Sequence, residues 1–417
     1  MNFADKYFDR FISQEKKLNS IPDENLKIII TIPCYNEPNL LRSLLSISNC
    51  EPTNCSVEII TVINFSELTS EKIKLESRQL YEEMLLKIDN LNTEKTKFHF
   101  ILEENIADKF AGVGTARKIA MDESLRRFSI LNKPDGIIVG FDADSEVEPS
   151  YLQGIENFFL KYPKTNACSI HFEHPIEGNE FSQIIYDSII SYELHLRYYI
   201  NALIFTGFPY AFQTIGSAFA VRADVYAKQG GMNRKKAGED FYFLQKVIPL
   251  GNFKEISTTK VIPSPRTSDR VPFGTGAAVF KMISSGQKNF LTYNFLSFCI
   301  LKTFFEQINN FFYRTEYKSA EKSLEIFLEK NNFIQDLDKI LKNSPNITIF
   351  RKRFFDWFDA FRIIKYLNFS HENNYFTKET PDVEINKIFA NTKEIINCKS
   401  SKELLLEIRK FDLKRKR

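Results

Sequence analysis

Five acids fall in three short runs of this 417-residue chain: Glu37 at the end of Pro33-Cys34-Tyr35-Asn36-Glu37, the pair in Asp142-Ala143-Asp144, and Glu239-Asp240 after Gly238. Two carboxylates flanking a small residue suit a hard divalent cation, because Mg²⁺ and Mn²⁺ take oxygen ligands and share them with substrate phosphates. Asp142, Asp144, Glu146 and Glu148 stand within seven residues and repel one another unless a cation is present. Carboxylates at a strand end also make turns or cap the next helix. His171 and His174 are further candidates for coordination, although a histidine on a strand is more often a structural partner.

The other runs suggest different work. Glu239-Asp240 opens a segment that reads as a helix, where an acid gains from the helix dipole; a carboxylate placed there can also take the proton of an attacking hydroxyl. Gly112-Val113-Gly114 opens another helix. Its glycines let a phosphate approach backbone N–H groups, and Arg117 follows one turn in. Ser264-Pro265-Arg266-Thr267-Ser268-Asp269-Arg270 carries two arginines four residues apart beside hydroxyls and glycines, a pattern for clamping a phosphate or carboxylate.

These residues need a frame. Runs rich in β-branched and aromatic residues predict strands over 27–32, 57–63, 97–102, 135–141 and 167–172. Helical patterns lie between them, over 39–48, 70–91 and 115–128. Alternating strands and helices imply a doubly wound, mainly parallel sheet, and the first two acidic runs then emerge at carboxyl ends of strands, where ligands of such sheets bind. From about residue 277 the pattern changes to Lys-, Glu- and Phe-rich helical segments, over 304–317, 318–331, 333–342 and 354–367. The expected organisation is an N-terminal helical arm (1–26), an α/β domain (27–276) and a helical C-terminal region (277–417).

The order of the motifs resembles family 2-type glycosyltransferases of GT-A fold: a strand, Pro33 to Glu37, Gly112-Val113-Gly114-Thr115-Ala116-Arg117, Asp142-Ala143-Asp144, then Gly238-Glu239-Asp240. The resemblance covers roughly residues 26 to 275. It implies a GT-A type sheet and transfer of a sugar from a nucleotide-diphosphate donor to a hydroxyl acceptor, with Mg²⁺ or Mn²⁺ as cofactor. Pro33, Tyr35, Asn36 and Glu37 would line the donor pocket together with Asn64, Gly112, Gly114, Arg117 and Asp142. Asp144 would bind the metal with Asp142. Asp240 would be the catalytic base of an inverting enzyme, with Glu239 beside it, and Arg266 and Arg270 would hold phosphate or acceptor. The chain departs from the family pattern at Asn64, which stands where the family usually has an acid at the end of the second strand, so a uridine preference does not follow. The Gln-x-x-Arg-Trp signature of processive members is missing after Asp240, and the only tryptophan is Trp357. Addition of one or a few sugars is therefore expected. The acceptor is a glycan, a lipid-linked molecule or a small molecule.

Composition limits the other readings. A net charge of +3 gives no basis for nucleic-acid binding. The six cysteines lack metal-finger spacing, so reduced thiols are expected. The 40 phenylalanines are assigned to core packing. The first twenty residues suit an amphipathic helix and not a signal peptide, and the uncharged run between Arg197 and Arg222 is interrupted by polar residues. A cytoplasmic protein follows, with peripheral contact at an anionic membrane through the basic end Lys414-Arg415-Lys416-Arg417. A retaining enzyme, a nucleotidyltransferase and a non-catalytic sugar-nucleotide-binding protein are the alternatives. The nucleotidyltransferase would want a glycine-rich basic loop where Cys34 to Glu37 stand.

Overall fold

Residues 2–11, 16–268, 274–315, 321–392 and 398–415 are described by a computed structural model. The strands are β1 (Leu26–Cys34), β2 (Ser56–Ser66), β3 (Thr96–Ile106), β4 (Ile137–Gly140), β5 (Glu146–Val147), β6 (Ala167–Phe172), β7 (Phe219–Arg222) and β8 (Phe253–Ile262). They form one sheet in the order β3-β2-β1-β4-β7-β6-β8-β5. The fold class is as expected: a mixed α/β sheet, parallel from β3 to β4, with a helical region in the C-terminal part. β7 runs antiparallel to both β4 and β6. β1 is almost wholly buried, as the unbroken apolar run Ile28-Ile29-Ile30 requires of a strand covered on both faces.

Helices α1 (Asp5–Phe11), α2 (Leu40–Ser48), α3 (Glu71–Leu91), α4 (Val113–Ile130) and α5 (Tyr151–Lys161) alternate with the strands. α6 (Gln183–Phe205) precedes β7; α7 (Ala223–Lys228) and α8 (Glu239–Val247) precede β8. The remainder is helical: α9 (Thr275–Ser284), α10 (Phe295–Glu306), α11 (Ile308–Tyr313), α12 (Lys322–Lys330), α13 (Phe333–Lys342), α14 (Ile347–Trp357), α15 (Ala360–Glu372), α16 (Pro381–Thr392) and α17 (Ser401–Lys414). The segments expected over 304–317 and 354–367 are each divided, the latter at Asp359, whose side chain caps α15 by accepting from the Arg362 N–H at 2.8 Å.

The chain divides into two compact units, and not at one boundary. The first comprises Met1–Gly178, Thr214–Ala277 and Leu413–Arg417, the second Asn179–Gln213 and Ala278–Asp412. In this division α6 groups with the later helices and not with the α/β part. Its Glu193, fully buried, accepts from Arg197 Nε at 2.8 Å and from Arg409 Nε and Nη2 at 2.8 and 2.7 Å, while Arg197 Nη1 donates to Asp412 Oδ2 at 2.7 Å. These pairs fasten α17 to α6, because a buried carboxylate is tolerated only when compensated. The phenylalanines of this unit form its core, with Phe304 and Phe333 centroids 5.5 Å apart and Phe305 and Phe358 5.2 Å apart.

In the first unit the N-terminal arm is docked. The Tyr7 and Tyr226 hydroxyls both donate to Asp122 Oδ1 at 2.7 Å, and Lys118 Nζ lies 2.9 Å from Asp122 Oδ2. α4 buries charge against the sheet: Arg127 Nη2 donates to Glu58 Oε1 of β2 at 2.5 Å, with a second contact from its Nε. None of the six cysteines forms a disulfide. Among the described residues no helix is long and apolar enough to cross a membrane. The uncharged run between Arg197 and Arg222 is spent on the end of α6, a connection, and β7. Lys416 and Arg417 lie outside the described residues.

Candidate active site

β1 and β4 are parallel neighbours, with Thr31 opposite Gly140. β1 continues into β2 and β3 on one side, whereas β4 lies on the other. Their carboxyl ends therefore flank the point where strand order reverses, and the segments that follow them emerge side by side. Pro33 closes β1 in the buried core, and Tyr35 is exposed. Asn36 turns the chain in the left-handed region (φ 44°), one that asparagine tolerates better than most residues. This turn leads to Glu37, which is 3% exposed. After β4, the Ser145 N–H donates to the Asp142 carbonyl at 3.1 Å, making the turn that presents Asp142 and Asp144. Ser43 Oγ of α2 pins it through the Ala143 carbonyl at 2.8 Å.

Two arginines organise these acids. Arg266 donates from Nη2 to Glu37 Oε2 at 2.6 Å and from Nε to Asp144 Oδ2 at 2.7 Å. Arg117 donates from Nη2 to Asp142 Oδ1 at 2.7 Å, from Nε to Glu239 Oε1 at 3.0 Å, and from Nη1 to the Gly216 carbonyl at 3.0 Å. The first and third acidic runs are thus tied to the second by one guanidinium each.

Gly238, at φ 69°, reverses the chain into α8. The Phe241 N–H donates to Asp240 Oδ1 at 2.7 Å, and Asn233 Nδ2 holds the Glu239 carbonyl at 3.0 Å. A Cβ on Gly216 would stand 2.9 Å from both Asp240 Oδ2 and Arg117 Nη2, so a side chain there would displace the tips of both. Burial first, then the neighbouring Glu239, raises the Asp240 carboxyl to about 7, against the opposing pull of Arg117. Asp144 is raised to about 6, again chiefly by burial, with Asp142 and Glu37 adding to it and Arg266 opposing it. Five acids against two arginines leave an excess of negative charge, which both shifts express.

That excess and the hard oxygen donors of Asp142 and Asp144 suit Mg²⁺ or Mn²⁺. Arg266 and Arg117 already hold one oxygen of each carboxylate, and among the described residues no group of three His, Cys, Asp or Glu side chains is arranged around a metal position. His171 is turned to Glu173 Oε1 at 3.1 Å, and His174 is buried against Phe172.

The glycine pair leaves room for a neighbouring loop. A Cβ on Gly114 would meet the Lys235 carbonyl oxygen at 2.2 Å, and one on Gly112 the Lys236 Cα at 3.2 Å. The space that glycine leaves at the start of α4 admits the chain at 233–236. This loop was missed from the sequence; two close glycines signal a close neighbour without saying which. Arg117 is 1% exposed, with its donors committed to protein oxygens. Asn64 is buried within β2, paired in register with Glu103 of β3. Arg270 lies outside the described residues, as does Asp269.

No family model and no curated protein matches the sequence. Among solved structures, the chain is similar to residues 1–349 of S. aureus TarS in complex with UDP-GlcNAc, at 13% identity and a TM-score of 0.41, covering 84% of this chain and 92% of that one. The complex of the same TarS fragment with UDP gives 13% identity and a TM-score of 0.40 over the same shares. A longer TarS structure gives 14% identity and a TM-score of 0.39, over 83% of this chain and 55% of that one.

Proposed function

We propose that this protein is a glycosyltransferase that moves a sugar from a nucleoside-diphosphate donor to a hydroxyl acceptor, inverting the anomeric centre. The observation that carries the reading is the joining of a strand-end Asp-Ala-Asp to the buried Glu239, next to Asp240, through Arg117. Asp240 is the base, since a carboxyl raised to about 7 accepts a proton more readily than an ordinary one near neutral pH. The acceptor oxygen attacks the anomeric carbon, the bond from that carbon to the diphosphate oxygen breaks, and the acceptor's proton passes to Asp240. Glu37, Tyr35 and Asn36 line the donor side, and Arg266 meets its anionic part.

A divalent metal bound by Asp144, with Asp142, would neutralise the departing diphosphate. The excess of acids over arginines supports that cofactor. We further propose a non-processive enzyme of family 2 type acting on a glycan, lipid-linked or small-molecule acceptor, cytoplasmic, with peripheral contact at the membrane's inner face. The test is a panel of UDP-, GDP- and dTDP-sugars scored for thermal stabilisation with and without Mn²⁺, because a ligand of the folded state raises the melting temperature by mass action, and then for release of nucleoside diphosphate. No stabilisation and no release across the panel would refute the proposal.

A further inference from the structure

We infer that Arg117 is a positioning residue, whose enclosed guanidinium holds the Asp142 carboxylate and the Glu239-Asp240 turn in one rigid frame and makes no contact with the donor. The inference rests on the glycosyltransferase reading of this site and assigns Arg117 a different part in it from the one the motif resemblance implies. Its acceptors come from three stretches far apart in sequence. Besides Asp142, Glu239 and the Gly216 carbonyl, the Phe141 carbonyl accepts from Nη1 at 3.4 Å. With 1% of its surface exposed, the side chain has no face left for a phosphate.

The three stretches bear on different partners in the proposed reaction. Phe141 and Asp142 end the strand segment on the donor side; Glu239 begins the helix that carries the base. Gly216 supplies the floor between them, since a side chain there would run into both Arg117 Nη2 and Asp240 Oδ2. Transfer needs the base and the anomeric carbon held in near-attack geometry, and displacements of about 1 Å cost roughly 10²-fold in rate. A planar fork with fixed N–H directions can hold that spacing. Lysine offers a single ammonium and cannot reach the same acceptors together.

The test uses the full chain and whichever of UDP-glucose, UDP-N-acetylglucosamine, GDP-mannose and dTDP-glucose the wild type turns over. Donor affinity is measured by calorimetry and turnover by nucleoside diphosphate release, for Arg117→Lys, Glu239→Gln and the double variant. The expected result for Arg117→Lys is kcat reduced by roughly 10²-fold with donor Kd nearly unchanged. The double variant should fall no further than the worse single one, because both changes break the same frame. A donor-contacting Arg117 would instead lose affinity at constant kcat, and that outcome overturns the inference, as does full multiplication of the two single effects. If Arg117→Lys does not fold, Arg117→Met combined with Glu239→Gln removes both buried charges together, and the same comparison of kcat with Kd decides. A wild type that binds and cleaves none of the four takes the functional reading down and the inference with it; an active wild type with the contrary Arg117 result removes the inference alone.

Discussion

Replacing Asp240 with asparagine separates the chemistry of the carboxyl from its shape. Asparagine keeps the oxygen that accepts from the Phe241 N–H, so the turn into α8 is preserved. What disappears is the charge. The carboxyl is raised from 3.8 to about 7, so its stabilising contribution is fully present below about pH 4 and is lost as pH rises through about 7. Each pH unit of that gap corresponds to about 1.4 kcal/mol, so ionised Asp240 costs the folded state about 4 kcal/mol at pH 8. Roughly 2–3 kcal/mol of this accrues between pH 5 and pH 8.

The asparagine variant carries no such cost. Its melting temperature should exceed that of the wild type by a margin that widens by roughly 3 °C from pH 5 to pH 8, read by differential scanning calorimetry in matched buffers. Sugar transfer should fall by roughly 10²- to 10⁴-fold with donor binding retained. A margin that stays constant across the two pH values would show that burial does not disfavour the charged carboxyl. Near wild-type turnover in the variant would move the base elsewhere.

Other perturbations test the neighbours. Asp144→Ala should abolish Mn²⁺-dependent donor binding in calorimetry while leaving the melting temperature close to that of the wild type, since Asp144 is half-buried and its ionised form is disfavoured by burial. Arg266→Lys keeps the charge but cannot span Glu37 and Asp144 with a planar fork, and donor Kd should rise by roughly 10-fold; an unchanged Kd would leave Arg266 as a partner of those acids only. Arg127→Met strands Glu58 in the core and should cost about 3–5 kcal/mol in chemical denaturation, without changing donor affinity in the fraction that remains folded.

The parallel half of the sheet was legible because each strand is a run that can only be buried, as in Ile28-Ile29-Ile30 or Val57 to Ile63. The structure extends these strands past the apolar cores of the runs, through Pro33-Cys34 and Asn64 to Ser66, since neighbouring strands supply hydrogen bonds that local composition does not reveal. β7 is only four residues long, and β8 alternates exposure irregularly, so neither shows a clean two-residue period. α6 was hidden in another way. Its charged residues Glu193 and Arg197 look like a solvated face until partners more than 200 residues later, Arg409 and Asp412, are brought to them. The acidic runs of the candidate site were readable from residue type and strand context. The pairing of Glu37 with Arg266, 229 residues away, was not.

The two arginines divide the Asp-Ala-Asp pair into unequal halves, and the division follows from solvent. Arg117 is sealed, so moving it away from Asp142, whose own side chain is 38% exposed, would leave a buried guanidinium short of compensation. Arg266 is 24% exposed and contacts Asp144 from a loop, so water can take over its N–H groups when it withdraws. In the proposed enzyme, Asp142 is therefore the fixed member, held in the frame around the base, and Asp144 is the one whose oxygen an incoming cation can claim. Arg266, once released, retains its charge and its fork for the anionic donor that accompanies that cation. This ordering makes the Arg266→Lys and Asp144→Ala effects non-additive: once Asp144 is gone, the lysine substitution should weaken donor binding less than it does alone. Calorimetry of the double variant reads that difference directly, and full additivity would separate the arginine from the metal position.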